Sequence, residues 1–240
     1  KKGCYLKYKQ LIFDVDDTLI DFAATEDSSL HALFKSHKLP LSSDLQKQYH
    51  TYNQGLWRRL ELGEITYDEL SEMTFHDFIK ENFNLDVDGN EWMNEYRSYF
   101  GEAHQLLPGV EDTLKFAKKQ GYKLTVLSNG EKFMQRHRLE LAGIKDYFDL
   151  IVTSEEAHYS KPNPHAFDYF FSRTEIGPNE TLFFGDGLQS DILGAGKYGF
   201  DSIWYNHRHR KDTIGLHPLF EVETYPEFVK IMQNDFQKAF

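Results

Sequence analysis

Cys4 is the only cysteine among the 240 residues, so no disulfide can form within the chain. No apolar run approaches the roughly 18–20 residues that a membrane-spanning helix needs. The charged stretch from Lys1 to Lys7 lacks the apolar segment of a secretory signal. These absences read as a soluble, cytoplasmic protein with no membrane partner. Positive charge is scarce as well: 27 Lys and Arg stand against 38 Asp and Glu, a formal net charge of −11. That balance argues against a nucleic-acid polymer or an anionic membrane surface as partner, because both demand clustered positive charge. Internal repeats and low-complexity segments are also missing, which excludes a solenoid or a disordered tether.

What is present is an ordinary globular balance, with 40% apolar, 27% charged and a generous 15% aromatic residues. Gln10–Asp14 (QLIFD) is continuously apolar before its carboxylate, as a strand buried on both faces requires. From about Phe22 to Gln105 the pattern is helical. Leu30, Leu33 and Phe34 share one helix face. Tyr49, Tyr52, Leu56 and Leu60 mark a second helix, closed by Gly63. Thr66 and Glu69 form a capping-box signature that opens a third, and Trp92, Met93, Tyr96 and Tyr99 mark a fourth. After Pro108-Gly109, strands expected at Lys123–Leu127, Asp149–Thr153, Thr181–Gly185 and Ser202–Tyr205 alternate with helices. Those helices are expected near Val110–Gln120, Lys132–Ala142, His165–Ser172 and Ser190–Tyr198. Gly121 and Gly143 suit helix ends, and Pro164 suits a helix start. Such alternation predicts a parallel sheet covered on both faces. The fold class is therefore α/β. A Rossmann-like parallel sheet core from residues 1–20 and 107–240 carries an inserted helical-bundle cap domain, residues 21–106.

In an open α/β sheet, ligands sit at the carboxyl ends of the strands. Those ends carry Asp14-Val15-Asp16-Asp17-Thr18, Ser128-Asn129-Gly130 and Gly185-Asp186-Gly187 with Asp191. A loop after the third expected strand carries Ser160-Lys161-Pro162. Asp14 and Asp16, two apart, share a side of an extended backbone. They can divide labour, one ionised as nucleophile and one protonated as general acid. Asp186 can join Asp14 around a hard divalent ion, which prefers oxygen ligands. Asp191 could hold a metal-bound water or support Lys161. Ser128 and the backbone near Asn129 can donate to phosphate oxygens, and Lys161 supplies a compact positive charge.

Taken together, FDVDDTL, LSNG, SKP and GDGLQSD resemble the four ordered motifs of the haloacid dehalogenase superfamily, and the helical insert resembles that superfamily's first-position cap. The resemblance spans the whole chain. It implies a phosphohydrolase with Asp14 as nucleophile, Asp16 as acid–base residue and an aspartyl-phosphate intermediate. It also implies Mg²⁺ held by Asp14, the Asp16 main-chain carbonyl and Asp186, with Asp191 assisting. Ser128 and Lys161 would hold the phosphate. Gly187 departs from the pattern, since many relatives carry a small hydroxyl residue there.

Other residues read as structural. Asp17 and Asp21 are expected in the loop and the cap hinge. The eleven histidines are scattered, and the run His207–Lys211 reads as a solvated loop rather than a ligand set. Trp57 and Trp92 read as bundle core.

The haloacid dehalogenase reaction displaces halide without Mg²⁺ and without an acid two residues past the nucleophile, so Asp16 and the acidic GDGLQSD favour phosphate. A phosphomutase shares the core but must exclude water. A non-catalytic phosphate-binding module predicts loss of Asp14 or Asp16, and both are present. DDTLIDF, Tyr52-Asn53-Gln54-Gly55-Leu56-Trp57 and Leu62-Gly63-Glu64-Ile65-Thr66 resemble the pyrimidine 5′-nucleotidase branch. That implies a nucleotide as the small phosphorylated partner, with Phe22, Asn53 and Trp57 as candidate contacts for the leaving group. A sugar-phosphate phosphatase is the alternative. The sequence leaves the oligomeric state open.

Overall fold

The structure, a computed structural model, describes residues 7–61 and 64–236. Cys4 and the helix-ending role expected of Gly63 lie outside the described residues. The chain through Phe22 and from His104 onward forms one compact unit, and Ala23–Ala103 forms the other.

In chain order the elements are β1 (Gln10–Phe13), α1 (Phe22–Ser36), α2 (Ser43–Glu61), α3 (Tyr67–Phe83) and α4 (Gly89–Glu102). These are followed by α5 (Val110–Gln120), β2 (Lys123–Ser128), α6 (Lys132–Leu141), β3 (Leu150–Thr153) and α7 (Ser154–Ala157). Then come α8 (Pro164–Phe171), β4 (Thr181–Gly185), α9 (Gly194–Tyr198), β5 (Asp201–Tyr205), β6 (Phe220–Val222) and α10 (Tyr225–Gln233). The strands form one wholly parallel sheet in the order β3-β2-β1-β4-β5-β6. β1 lies inside it, with Phe13 level with Val126 on one side and Phe184 on the other. Strand order reverses between β1 and β4, the switch point where α/β sheets place their ligands.

All four β1 residues are buried, as their unbroken apolar run requires. Side chains alternate between the faces. Leu11, Phe13, Leu182 and Phe184 join a core with α5 and α10 residues such as Leu114, Tyr225 and Phe228. Ile12 and Phe183 face the opposite way, into a second core with Phe167 and Phe170 of α8. Each fully buried aromatic or aliphatic side chain contributes roughly 1.5–3 kcal/mol.

The helical unit has its own core of Leu30, Leu33, Phe34, Tyr49, Phe75, Phe78, Ile79, Trp92, Met93 and Tyr96. The Thr66–Glu69 capping box opens α3, with Glu69 N 3.2 Å from Thr66 Oγ1 and Thr66 N 2.7 Å from Glu69 Oε2. No described helix is long and apolar enough to cross a membrane.

Three expectations need correction. The helix read over Ser190–Tyr198 is two pieces, a π-type turn over Leu188–Leu193 and then α9. β6 and α10 were not foreseen, although Thr224 and Glu227 form a capping box and Pro226 sits in the first turn of α10. Trp57 is not bundle core: it is 44% exposed, whereas Trp92 is buried. The α2 positions at 54, 55, 57 and 58 all face outward, and the apolar face of the helix is carried by residues such as Tyr49 and Leu56 instead.

Candidate active site

Asp14 is the first residue past β1, and its N–H still donates to Phe184 O at 3.1 Å, so the sheet itself fixes its place. Lys161, from the turn before α8, reaches it with Nζ 2.7 Å from Asp14 Oδ1 and 2.7 Å from Asp191 Oδ1. The lysine and Asp191 are fully enclosed. Asn129 anchors the lysine's backbone: Lys161 N donates to Asn129 Oδ1 at 2.7 Å, and Asn129 Nδ2 donates to Lys161 O at 2.9 Å. The Asn129 side chain is thereby used within the protein.

Asp186 follows β4. Its N–H donates to Thr18 Oγ1 at 3.1 Å, the Trp204 indole N–H donates to its carbonyl at 3.0 Å, and Arg210 Nη2 lies 2.8 Å from its Oδ2. Asp191 sits in the π-type turn, where Gly187 N–H donates to its Oδ2 at 2.9 Å. A side chain at position 187 would collide with the Ser190 hydroxyl and one at position 185 with the Asp191 carboxylate. The space beside Gly187 is taken by Ser190.

Asp14, Asp186 and Asp191 each offer a carboxylate oxygen within 4.8 Å of the others. Burial is the largest cause of the raised pKa of Asp14, and the charges of Asp191 and Asp186 add to it while Lys161 opposes. Burial and then Asp191 push Asp186 up to about 7, against Arg210. Lys161 moves upward despite burial, because Asp14 and Asp191 hold its charge. Crowded, buried carboxylates that resist ionisation are what a hard divalent cation would relieve, and an all-oxygen set suits Mg²⁺.

The Asp16 carboxylate stands outside this cluster. Arg138 Nη1 donates to its Oδ1 and Gln135 Nε2 to its Oδ2, each at 2.7 Å. What Asp16 can offer a metal is its main-chain carbonyl, as the superfamily resemblance implies. Ser128, at the end of β2, is joined to the same network through a 3.0 Å bond from Gln135 Nε2. Seven candidates, Asp14, Asp16, Ser128, Asn129, Lys161, Asp186 and Asp191, thus fall in the α/β unit. Asn53 and Trp57 lie in the helical unit, one turn apart on α2, with Asn53 half-buried.

Four side chains escaped the sequence. Gln135 and Arg138 are polar residues on a helix that follows LSNG, and nothing in their spacing separates them from a solvated face. Arg208 and Arg210 correct the solvated-loop reading of His207–Lys211. Arg208 Nε lies 2.6 Å from Asp17 Oδ2 and Arg210 holds Asp186, so two members of that run are tied to the acidic strand ends. His207 of the same run stacks on Tyr205 with ring centres 4.8 Å apart. Asp17 also accepts from Phe22 N–H at 3.2 Å, which makes it a structural link at the loop leading to α1.

The chain matches the family described as haloacid dehalogenase-like hydrolase over residues 8–199. It is 35% identical to the HAD-hydrolase YfnB of Bacillus subtilis over 94% of this chain and 96% of that protein. It is 31% identical to the pyrimidine 5′-nucleotidase PynA of Streptococcus pneumoniae, over 95% and 96% of the two chains. The crystal structure of YfnB bound to magnesium superposes with a TM-score of 0.87, covering 94% of this chain and 99% of that one.

Proposed function

Because the chain belongs to the haloacid dehalogenase-like hydrolases, we propose that it hydrolyses phosphate monoesters through an aspartyl-phosphate on Asp14, with nucleoside 5′-monophosphates as substrates. The observation that carries the chemistry is Lys161 bridging Asp14 and Asp191 beside Asp186 at the switch point of the sheet. Such a site lowers the cost of bringing a dianionic phosphoryl group to a carboxylate nucleophile.

Asp14 Oδ attacks phosphorus as the bond to the leaving ester oxygen breaks, and Asp16 delivers the proton that oxygen needs. In the second half, Asp16 takes a proton from water as the water oxygen attacks phosphorus. The Asp14–phosphate bond breaks and frees inorganic phosphate. Lys161 offsets the charge on the phosphoryl oxygens and Ser128 donates to one of them. Asp14, Asp186 and the Asp16 main-chain carbonyl would hold Mg²⁺, and Asp191 supports the set through Lys161 and the Gly187 N–H. When bound, the ion supplies charge that keeps Asp14 ionised and polarises the phosphoryl group. YfnB, which has been crystallised with magnesium, supports the choice of ion.

The nucleotide assignment draws on PynA, a pyrimidine 5′-nucleotidase related along nearly the full length. Asn53 and Trp57 are the residues offered for base contact. The test is a panel of phosphomonoesters with purified protein and Mg²⁺. Preferential release of phosphate from nucleoside monophosphates supports the assignment, a tenfold preference for a sugar phosphate overturns it, and no release from any ester in the panel overturns the phosphohydrolase reading as well.

A further inference from the structure

Arg138 is a cation with no exposed surface, which is tolerated only where its charge is met. Its Nη1 donates to Asp16 Oδ1 at 2.7 Å and to Gln135 Oε1 at 3.2 Å. With Oε1 engaged in this way, the Gln135 amide nitrogen is turned toward two acceptors, Asp16 Oδ2 at 2.7 Å and Ser128 Oγ at 3.0 Å. Gln135 and Arg138 are three apart on α6 and so lie on one face of that helix. Gly130 N–H gives Ser128 Oγ a second bond at 3.2 Å, and a side chain at Gly130 would collide with the Gln135 amide.

A hydroxyl has one proton and two acceptor lone pairs. At Ser128, Gln135 and Gly130 supply two donors to those lone pairs, which leaves the hydroxyl proton to be given outward. At Asp16, two donors fix the rotation of the carboxylate while part of the side chain, 29% exposed, remains open. We infer that Gln135, keyed by Arg138, is a positioning residue that sets Ser128 as a donor to phosphate and aims Asp16 at the leaving oxygen. The inference rests on the reading of Asp16 as the proton donor and extends it to two residues that touch no substrate.

The test compares Gln135→Met with the parent protein on an alkyl phosphate and on p-nitrophenyl phosphate, whose leaving group needs little protonation. The same comparison is repeated in the Asp16→Asn background. Misaiming the acid should lower kcat on the alkyl ester by roughly ten- to hundredfold, with a loss on the nitrophenyl ester at least about threefold smaller. In the Asp16→Asn background Gln135→Met should leave the ratio of the two esters unchanged, because interacting sites are non-additive. Weaker inhibition by inorganic phosphate, matching Ser128→Ala, should report the serine arm. Arg138→Lys should retain more of the ester ratio than Arg138→Met. Should Arg138→Met fail to fold, Gln135→Met carries the test.

Equal losses on both esters, or a ratio change that persists without Asp16, would overturn the positioning role at Asp16. Unchanged inhibition by phosphate would overturn it at Ser128. Asp16→Asn alone separates the two levels: if that variant loses both esters equally, the acid assignment falls and takes the Asp16 arm with it. A selective loss in Asp16→Asn with none in Gln135→Met overturns the inference alone.

Discussion

Arg210 pairs with Asp186, its Nη2 2.8 Å from Asp186 Oδ2, and so sets a positive charge against one of the three carboxylates that could hold a cation. Arg210 is 41% exposed at its side chain and comes from a run of basic residues beyond β5. Its charge helps keep Asp186 ionised but repels an incoming divalent ion. Two charges against one at about 5 Å in a water-like medium repel by about 1.7 kcal/mol, and partial burial raises that figure. At a pH high enough for Asp186 to be ionised in both proteins, Arg210→Gln should therefore bind Mg²⁺ at least roughly tenfold more tightly. Calorimetric titration of the metal into both proteins reads this directly. Weaker binding by the variant would mean that Arg210 orients Asp186 rather than competing at it.

Protons should compete with the cation as well. Burial, and then Asp191, push Asp186 up to about 7, and Asp14 is raised by the same kind of cause. Below about pH 7 the metal must expel a proton from Asp186, and above it there is none to expel. The Mg²⁺ concentration needed for half of its thermal stabilisation should thus be about tenfold higher near pH 6 than near pH 8, for one proton displaced. A requirement that stays flat across that range would show that Asp186 is not a ligand.

Lys161→Met leaves Asp14 and Asp191 in an enclosed site without their shared counter-charge. Removing one partner of a buried ion pair costs on the order of 3–5 kcal/mol. Mg²⁺ should restore part of that loss, so the rise in Tm on adding the metal should be larger for the variant than for the parent. The two rises would be equal if Lys161 and the cation did not share these carboxylates.

Asp14→Asn should abolish multiple turnover while the protein keeps its fold, since the amide cannot attack phosphorus. The far-ultraviolet circular dichroism and Tm check the fold. Sustained phosphate release by this variant, free of contaminating phosphatase, would remove Asp14 from the nucleophile's role.

The core was legible because its signals are local. QLIF is apolar without a break, which only a strand buried on both faces needs, and each of Asp14, Ser128 and Asp186 stands at or just past the carboxyl end of such a strand. Asp191 and Lys161 were legible from their motifs, and support of Lys161 was one of the two roles read for Asp191, although the two are 30 residues apart in the chain. Arg208 was misread because its partner Asp17 is 191 residues away, and a run such as His-Arg-His-Arg-Lys looks solvated until tertiary structure brings an acid to it. Arg138 was missed for a related reason. Charged helix residues are nearly always exposed, and its burial follows from where α6 meets the strand ends rather than from anything in KFMQRHRLEL. β6 escaped because three residues give too short a pattern to read.

The remaining prediction concerns which ester is preferred. Asp14, Asp16, Ser128 and Lys161 are assigned to the phosphoryl group and the leaving oxygen, so they discriminate poorly among monoesters. Selection must come from groups that meet the rest of the substrate, and the helical unit inserted after β1 supplies two candidates on one face of α2. Trp57 presents 44% of its surface, enough for a base to stack on, and Asn53 one turn before it carries both a donor and an acceptor for a base edge. Stacking on an aromatic side chain is worth about 1–3 kcal/mol per base. Trp57→Ala should accordingly lower kcat/KM for dUMP, dTMP and UMP by roughly five- to hundredfold and leave that for ribose 5-phosphate within about twofold. Since specificity is a ratio of kcat/KM values, the parent protein should favour the nucleotides over sugar phosphates at the same Mg²⁺ concentration. A tenfold preference for a sugar phosphate would overturn the nucleotide assignment and leave the phosphohydrolase chemistry standing. Equal losses on all esters in Trp57→Ala would assign the tryptophan to the helical unit's stability instead.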